Sequence, residues 1–339
     1  MIIAKSKEIR KDLKKQKMKT YEEQYMESLK NIYFNGFSDG KNERTGLETK
    51  RLPGVVIQVD VEKEFPVLKS KFVATKTALR EILWIWQQQS NNINDLKSKI
   101  WNEWADKNGS IGEAYGNQAK HPVSIYADSV NHKNFRSYES QTHYVLEYLR
   151  EFPHGRWAVS TLWNPAELSL MHLVPCCHTS TWNLDGGRLN CVLDQRSGDF
   201  PYGVPFNTTQ YAELMILYAR DLGVKPGILT HVIADAHIYS NQMNGVEIQI
   251  NNYEILKSTK ELLENNELTI ENLKEKIKEF TPTSVSVEKD FNKIKECISC
   301  NPHFVCNTES KSFWDVRPED CKVEDYVNLG KVSFGDIAV

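Results

Sequence analysis

Met171-His172-Leu173-Val174-Pro175-Cys176-Cys177-His178 and, downstream of it, Gln195-Arg196-Ser197-Gly198-Asp199 decide how this chain is read. Trp163-Asn164-Pro165 precedes them, Pro205-Phe206-Asn207 follows, and Asp235-Ala236-His237-Ile238-Tyr239 closes the series. The order is a thiol, a guanidinium, a carboxamide and a His/Tyr pair. A thiolate is a strong nucleophile. A guanidinium forks onto phosphate with parallel hydrogen bonds. A carboxamide offers both a donor and an acceptor, which suits the edge of a base. Together these are the parts needed to attack a pyrimidine nucleotide.

The rest of the chain fits a folded protein around such a site. Its 339 residues permit one large domain or two ordinary ones. With 40% hydrophobic residues it can bury a sizeable core. The net charge of −3 gives no footprint for a nucleic-acid polymer, so no polymeric nucleic acid is required as partner. A few arginines focused in a cleft still suit a small anionic ligand. No apolar run is long enough to span a membrane, and the charged N-terminal stretch lacks the apolar core of a secretion signal. Seven cysteines, an odd number without such a signal, point to reduced thiols and a cytoplasmic setting.

Hydrophobic spacing predicts a helix from about Lys5 to Tyr33, broken at Phe37-Ser38-Asp39-Gly40, and a strand over Val55–Val61. Helices are predicted over Thr75–Gln88, Ser140–Glu151 and Thr208–Leu222, the last stopped by Gly223. Short strands are predicted at Trp157–Leu162, Leu189–Leu193, Leu229–Ile233 and Val246–Ile250. Helices and strands mixed without strict alternation indicate an α+β fold. From Asn252 to about Asn307 the composition turns rich in Lys, Glu and Asn, with helical stretches at Ser258–Asn265 and Ile270–Phe280.

The order and spacing of these motifs closely resemble the thymidylate synthase and pyrimidine nucleotide hydroxymethylase superfamily. The resemblance runs from Arg44-Thr45-Gly46 to Ala338-Val339. It includes Glu81-Ile82-Leu83-Trp84, Ile100-Trp101-Asn102-Glu103-Trp104, Ala114-Tyr115-Gly116-Asn117-Gln118 and Phe313-Trp314-Asp315. It implies a large twisted mixed sheet flanked by helices and a homodimer formed sheet against sheet. Residues 1–339 then form a single catalytic domain, with residues 252–307 an insertion where the family is shorter.

The resemblance also implies roles. Cys176 is the nucleophile, because the family spacing from Trp163 and Arg196 lands there, while Cys177 stands where many members have His. Arg44, Arg196 and Ser197 match phosphate-binding residues. Arg156 matches the first of two adjacent arginines supplied by the partner subunit, with Trp157 in place of the second. Asn207 matches the base-reading residue and favours uracil, since cytosine-specific relatives carry Asp there; a helix cap is the structural alternative for this Asn. His237 and Tyr239 match the pair that contacts the sugar. Glu81 matches the carboxylate that organises proton transfer, and Tyr115 a tyrosine of the same water network. Thr181 stands where the family usually has Gln. Asp199 matches the pterin-binding residue. Ile100, Trp101, Trp104, Gly203, Phe206 and the terminal Ala338-Val339 match other folate contacts. Leu173 and Lys71 match less specifically and read equally well as core and surface residues.

The implied reaction moves a one-carbon unit from 5,10-methylenetetrahydrofolate, a co-substrate, to C5 of dUMP, giving dTMP and dihydrofolate. A hydroxymethylase acting on dUMP or another pyrimidine nucleotide is the alternative within the fold. A nucleotide- or RNA-binding regulator without activity is the alternative outside enzymology. Separately, Cys297, Cys300, His303 and Cys306 form a C-x-x-C pattern with nearby ligand types. The spacing is short for common zinc modules, so free thiols are expected and no metal is assigned.

Overall fold

The computed structural model describes residues 18–38 and 40–336. Among the described residues the first helix, α1 (Tyr21–Asn35), opens on a capping box: the Thr20 side chain accepts from the Glu23 amide, and Glu23 accepts from the Thr20 amide. Tyr21, Tyr25, Met26, Leu29 and Ile32 recur at helical spacing and are fully buried. The part of the predicted helix at residues 5–17 lies outside the described residues.

The sheet that follows uses β1 (Thr49–Asp60), β4 (Val159–Thr161), β5 (Cys177–Asp185), β6 (Arg188–Gln195), β7 (Gly198–Asp199) and β8 (Lys225–Tyr239). A separate hairpin joins β2 (Val123–Asp128) to β3 (Lys133–Tyr138). In the main sheet the order is β1-β8-β6-β5-β4, with β7 also on β8. The β6/β8 and β7/β8 pairs are parallel and the others antiparallel, so the sheet is mixed.

Along β6, Leu189, Cys191, Leu193 and Gln195 are buried while Arg188, Asn190, Val192 and Asp194 are half-exposed. This period-2 pattern means that only one face is covered. The cover comes from α1, α3 (Gln141–Glu151) and α4 (Gly203–Leu222). Helix α2 (Thr75–Trp86) packs on α4. Gly223, at φ 70°, ends α4 in the left-handed region as its sequence position predicted.

One predicted strand is a helix. Val246–Ile250 belongs to α5 (Met243–Glu264), one continuous element. Five alternating residues looked like a strand, but Val246, Gln249, Ile250, Ile255, Leu256, Thr259 and Leu262 continue on a helical repeat, and that repeat is what is buried. The Lys/Glu-rich region folds into helices with a core of its own. Helices α6 (Ile270–Ile277) and α7 (Val287–Ser299) pack on α5 around Ile255, Leu262, Leu273, Ile294 and Cys297, a second apolar cluster. The chain then forms a small hairpin of β9 (His303–Cys306) and β10 (Cys321–Glu324).

Candidate active site

The sheet delivers its chemistry at the strand ends. Cys176 sits just before β5, next to a register shift between Cys177 and Thr179. Such a bulge re-aims the residues beside it. The Arg196 amide donates to the Cys176 carbonyl at 2.9 Å, which fixes the ends of β5 and β6 side by side. Parallel pairing then sets Asp199 opposite His237 on β8. Thiol, guanidinium, carboxylate and imidazole therefore converge although scattered through the sequence.

Cys176 is half-buried. Burial pushes its thiol up, while Arg196, Arg44 and a hydrogen bond with Tyr115 act in the opposite sense. Cys177 faces the core at 6% exposure, and burial pushes its thiol well above the ordinary value. Of the adjacent pair, only Cys176 has cations beside it to favour the thiolate. Arg196 is held by its own neighbourhood: Nε donates to the Pro175 carbonyl at 3.0 Å and Nη2 to the Val174 carbonyl at 2.7 Å. Its other N–H groups are left for an anion. Arg44 lies on an exposed turn in which the Asn42 carboxamide accepts from the Arg44 and Thr45 amides. It contributes favourably at both Cys176 and Tyr239.

Asn207 is the fifth residue of α4, inside the helix, so it is not a cap. Its orientation follows from a chain of buried amides. Gln195 Nε2 donates to the Ser197 carbonyl at 2.9 Å and to Asn207 Oδ1 at 3.2 Å. A carbonyl only accepts, so the atom of Gln195 facing it is nitrogen, and Oε1 must face His231 Nε2 at 2.7 Å. Burial pushes His231 down to about 3, so the ring is neutral and carries its proton on Nε2. Asn207 Nδ2 in turn donates to Gln210 Oε1 at 3.0 Å. Both ends of the Asn207 carboxamide are thereby assigned, with a further donor and acceptor site for a base edge.

Gln210 leads on to Glu81, on the facing side of α2. Glu81 is 7% exposed, and burial raises its carboxyl to about 7, against hydrogen bonds from Gln210 and Trp101. A carboxyl poised near neutrality can accept and return a proton. Tyr115 completes this side. Its hydroxyl accepts from the Cys176 amide at 3.2 Å, and its backbone holds φ 49°, a costly conformation for a tyrosine. The following Gly116 is required, because a methyl there would sit 2.0 Å from the Ser90 carbonyl oxygen. Trp101 packs edge-on to Tyr115 at 4.8 Å and to Trp104 at 5.5 Å, forming an aromatic wall.

Opposite that wall, half-buried Asp199 accepts from Gln242 at 2.9 Å and from the Tyr202 amide at 3.2 Å. Burial nevertheless raises its carboxyl above the ordinary value. A methyl on Gly203 would sit 3.6 Å from Asn207 Oδ1 and 3.7 Å from Asp199 Cβ, so the start of α4 lies between the two. Lys71 is buried beside Asp199, and burial lowers its ammonium to about 8. Its Nζ lies 4.9 Å from the Phe334 ring centre. Tyr202 bonds the Gly335 carbonyl at 3.0 Å, which brings the C-terminal segment over this side.

Not every expected residue is gathered here. Arg156 is exposed beyond α3, next to exposed Trp157, and no contact joins it to Cys176 within this chain. Ala338 and Val339 lie outside the described residues. Ile100 is 39% exposed and Leu173 half-buried, while Phe206 is on the first turns of α4. Lys71, read equally as a surface residue, is buried. The cysteine cluster separates: Cys297 joins the second apolar cluster, the buried Cys300 thiol donates to the Cys297 and Val327 carbonyls, and Cys306 faces Cys321. Among the described residues, no three His, Cys, Asp or Glu side chains are grouped to hold a metal ion.

Gln195, Gln210 and His231 were missed by sequence reading. A signal existed, since each puts a polar group at a position whose helical or strand parity is otherwise apolar. Buried polar groups persist only where their hydrogen bonds are met.

The family model described as thymidylate synthase matches residues 23–298. A thymidylate synthase of Clostridium beijerinckii is 39% identical over 274 residues, spanning 80% of this chain and 95% of its own. Thymidylate synthase 1 of Bacillus subtilis is 34% identical over 244 residues, 69% of this chain and 84% of its own. The solved structure of the thermostable thymidylate synthase A from Bacillus subtilis aligns with a TM-score of 0.65 at 27% identity. It covers 95% of this chain and 99% of that one.

Proposed function

The chain belongs to the thymidylate synthase family, and from that membership we propose that Cys176 is its nucleophile. The enzyme is a methyltransferase that moves a one-carbon unit from 5,10-methylenetetrahydrofolate to C5 of dUMP, giving dTMP and dihydrofolate. The observation that supports Cys176 most is its place beside Arg196 and Tyr115, with Asn207 reached through Gln195.

In the proposed cycle Arg44, Arg196 and Ser197 hold the phosphate, and the Arg196 and Arg44 guanidinium groups also draw the thiol toward thiolate. His237 and Tyr239 hold the sugar. Asn207 donates to the uracil carbonyl and accepts from the ring N–H. The sulfur adds to C6, and the electron pair moves through C5 toward the C4 oxygen as an enolate. C5 then attacks the methylene carbon of the folate as that carbon's bond to N10 opens and its bond to N5 is kept, the folate being held by Ile100, Trp101, Trp104, Leu173, Asp199, Gly203 and Phe206. Glu81, Tyr115 and water take the C5 proton; tetrahydrofolate leaves as an amine, and an exocyclic methylene remains. Hydride from the folate reduces that methylene, and the sulfur departs from C6. Covalent attachment makes an unreactive ring carbon nucleophilic. The C-terminal segment, with Ala338 at its end, excludes water while hydride moves.

We read residues 1–339 as one catalytic domain with residues 252–307 as an added helical body, working as a cytoplasmic homodimer. The sheet face without helices, carrying Val56 at 51% and Val159 at 40% exposure, supports sheet-to-sheet assembly. In the dimer Arg156 serves the partner's phosphate site. Sedimentation checks this: a monomer at micromolar concentration contradicts it.

Two outcomes test the chemistry. Purified protein given dUMP and 5,10-methylenetetrahydrofolate yields dTMP and dihydrofolate by mass spectrometry; hydroxymethylated nucleotide and tetrahydrofolate contradict the reading. Asn207→Asp lowers kcat/KM for dUMP by roughly 10³-fold or more and improves dCMP, because the side chain loses the N–H groups that face uracil. Unchanged preference contradicts the role of Asn207.

A further inference from the structure

We propose that Cys306 and Cys321 form a reversible oxidation site, in which Cys306 attacks a peroxide and Cys321 resolves the product to a disulfide. The two residues are direct partners across the β9/β10 hairpin. The Asn307 amide donates to the Asp320 carbonyl at 2.8 Å, one residue beyond the pair on each strand. That places Cys306 and Cys321 at a non-hydrogen-bonded position, where Cα atoms approach to about 4.5 Å and side chains are closest. This spacing falls within the range a disulfide spans. Both thiols are free.

The sulfurs are also distinguished from one another. Cys306 is half-buried, and Arg220 Nη1 lies 3.7 Å from its sulfur. The Cys321 thiol hydrogen-bonds to Cys306; that bond and Arg220 hold the Cys306 thiol below its ordinary value. Cys321 is 5% exposed and is held protonated. A half-buried, acidified thiol beside a buried, protonated one is the arrangement of an attacking and a resolving sulfur. Cys191 and Cys297 are fully buried. Burial pushes both of their thiols above the ordinary value, and for Cys297 it outweighs Lys293 and Lys69.

The chemistry balances with hydrogen peroxide as oxidant. The Cys306 thiolate attacks one peroxide oxygen, the O–O bond breaks, and hydroxide leaves to be protonated. Cys321 sulfur then attacks the Cys306 sulfur, the S–O bond breaks, and the proton from Cys321 accompanies the leaving oxygen as water. Two thiols and one peroxide give one disulfide and two waters. The bond would staple the segment between the strands. That segment ties to the catalytic helices: the Phe313 amide donates to Asp221 on α4, and Gln87, just after α2, donates to the Phe313 and Val316 carbonyls.

The test uses the full chain and a Cys176→Ser version, which removes the competing catalytic thiol. Peroxide treatment, alkylation and non-reducing peptide mapping are expected to find Cys306 joined to Cys321, released by dithiothreitol, with melting raised by a few degrees. Cys321→Ser is expected to leave a sulfenic acid on Cys306 that dimedone traps. Arg220→Gln is expected to slow the reaction at pH 7 by about tenfold and to move its pH midpoint upward, whereas Arg220→Lys keeps most of the rate. Separate alkylation of both residues after peroxide treatment overturns the proposal. So does oxidation of Cys191 or Cys297 at an equal rate, or an Arg220→Gln profile that matches the parent.

Discussion

Cys176→Ser lowers turnover by roughly 10⁴-fold or more, while Cys177→Ser keeps most of it. The two positions adjoin, yet their surroundings differ in kind. Cys176 stands at the bulged end of β5, with its amide on the Tyr115 hydroxyl and Arg196 beside it. A serine hydroxyl there has a far higher pKa than a thiol and no base adjacent to take its proton. The alkoxide needed for attack on C6 is therefore scarcely present. Cys177 is directed into the core, where its sulfur acts as a small hydrophobe. Replacing it inserts a hydroxyl among apolar groups and costs about 1–2 kcal/mol of stability, without touching the reacting atoms. Steady-state kinetics on both variants decide the matter. Equal losses would mean that the pair acts as a unit, and a larger loss at Cys177 would reverse the assignment.

Glu81→Gln has the second large effect, and its sign is opposite for activity and for stability. Turnover falls by about 10²- to 10⁴-fold, because a carboxamide cannot accept and return a proton. Stability rises above neutral pH. The Glu81 carboxyl is raised from 4.5 to about 7 by burial, so its ionisation is disfavoured in the folded state. A folded value above the unfolded one contributes fully below about pH 4.5 and is lost progressively up to about pH 7. Glutamine has no charge to bury, so its advantage grows across that window and levels off above it, at an upper bound on the order of 3 kcal/mol. Denaturant titrations from pH 5 to pH 8 measure this. A variant less stable than the parent at pH 8 contradicts the account. The kcat profile of the parent also has an inflection near pH 7 that Glu81→Gln lacks.

Much of the fold was legible because burial in this chain follows simple periods. The helical repeat of Tyr21, Tyr25, Leu29 and Ile32 and the alternation in β6 both reflect one covered face. Reading failed where a short run satisfies two periods at once. Val246–Ile250 alternates over five residues, and only the continuation to Leu262 separates helix from strand. The packed body of α5, α6 and α7 was concealed in a different way. Its surface is dense in Lys and Glu, which outweigh the few apolar residues that hold it together.

The candidate site divides similarly. Residues in contiguous motifs, such as Arg196-Ser197 and His237 with Tyr239, could be named as candidates from the sequence. The amide chain through Gln195, His231 and Gln210 was not, because its members lie on separate elements and their purpose appears only when hydrogen-bond partners are assigned. Arg156 shows the reverse limit. Its expected role lies across a subunit boundary, so a single chain leaves it on the surface.

The measurement closest to the central claim is capture of the covalent intermediate. When the protein is incubated with 5-fluoro-dUMP and 5,10-methylenetetrahydrofolate, C5 of the nucleotide carries fluorine in place of the hydrogen that must leave, so the adduct should accumulate and survive to intact-mass analysis and peptide mapping. The account predicts one nucleotide and one folate joined to the peptide, with the bond at Cys176. An adduct carried by Cys177, or unmodified protein under saturating ligands, would contradict it.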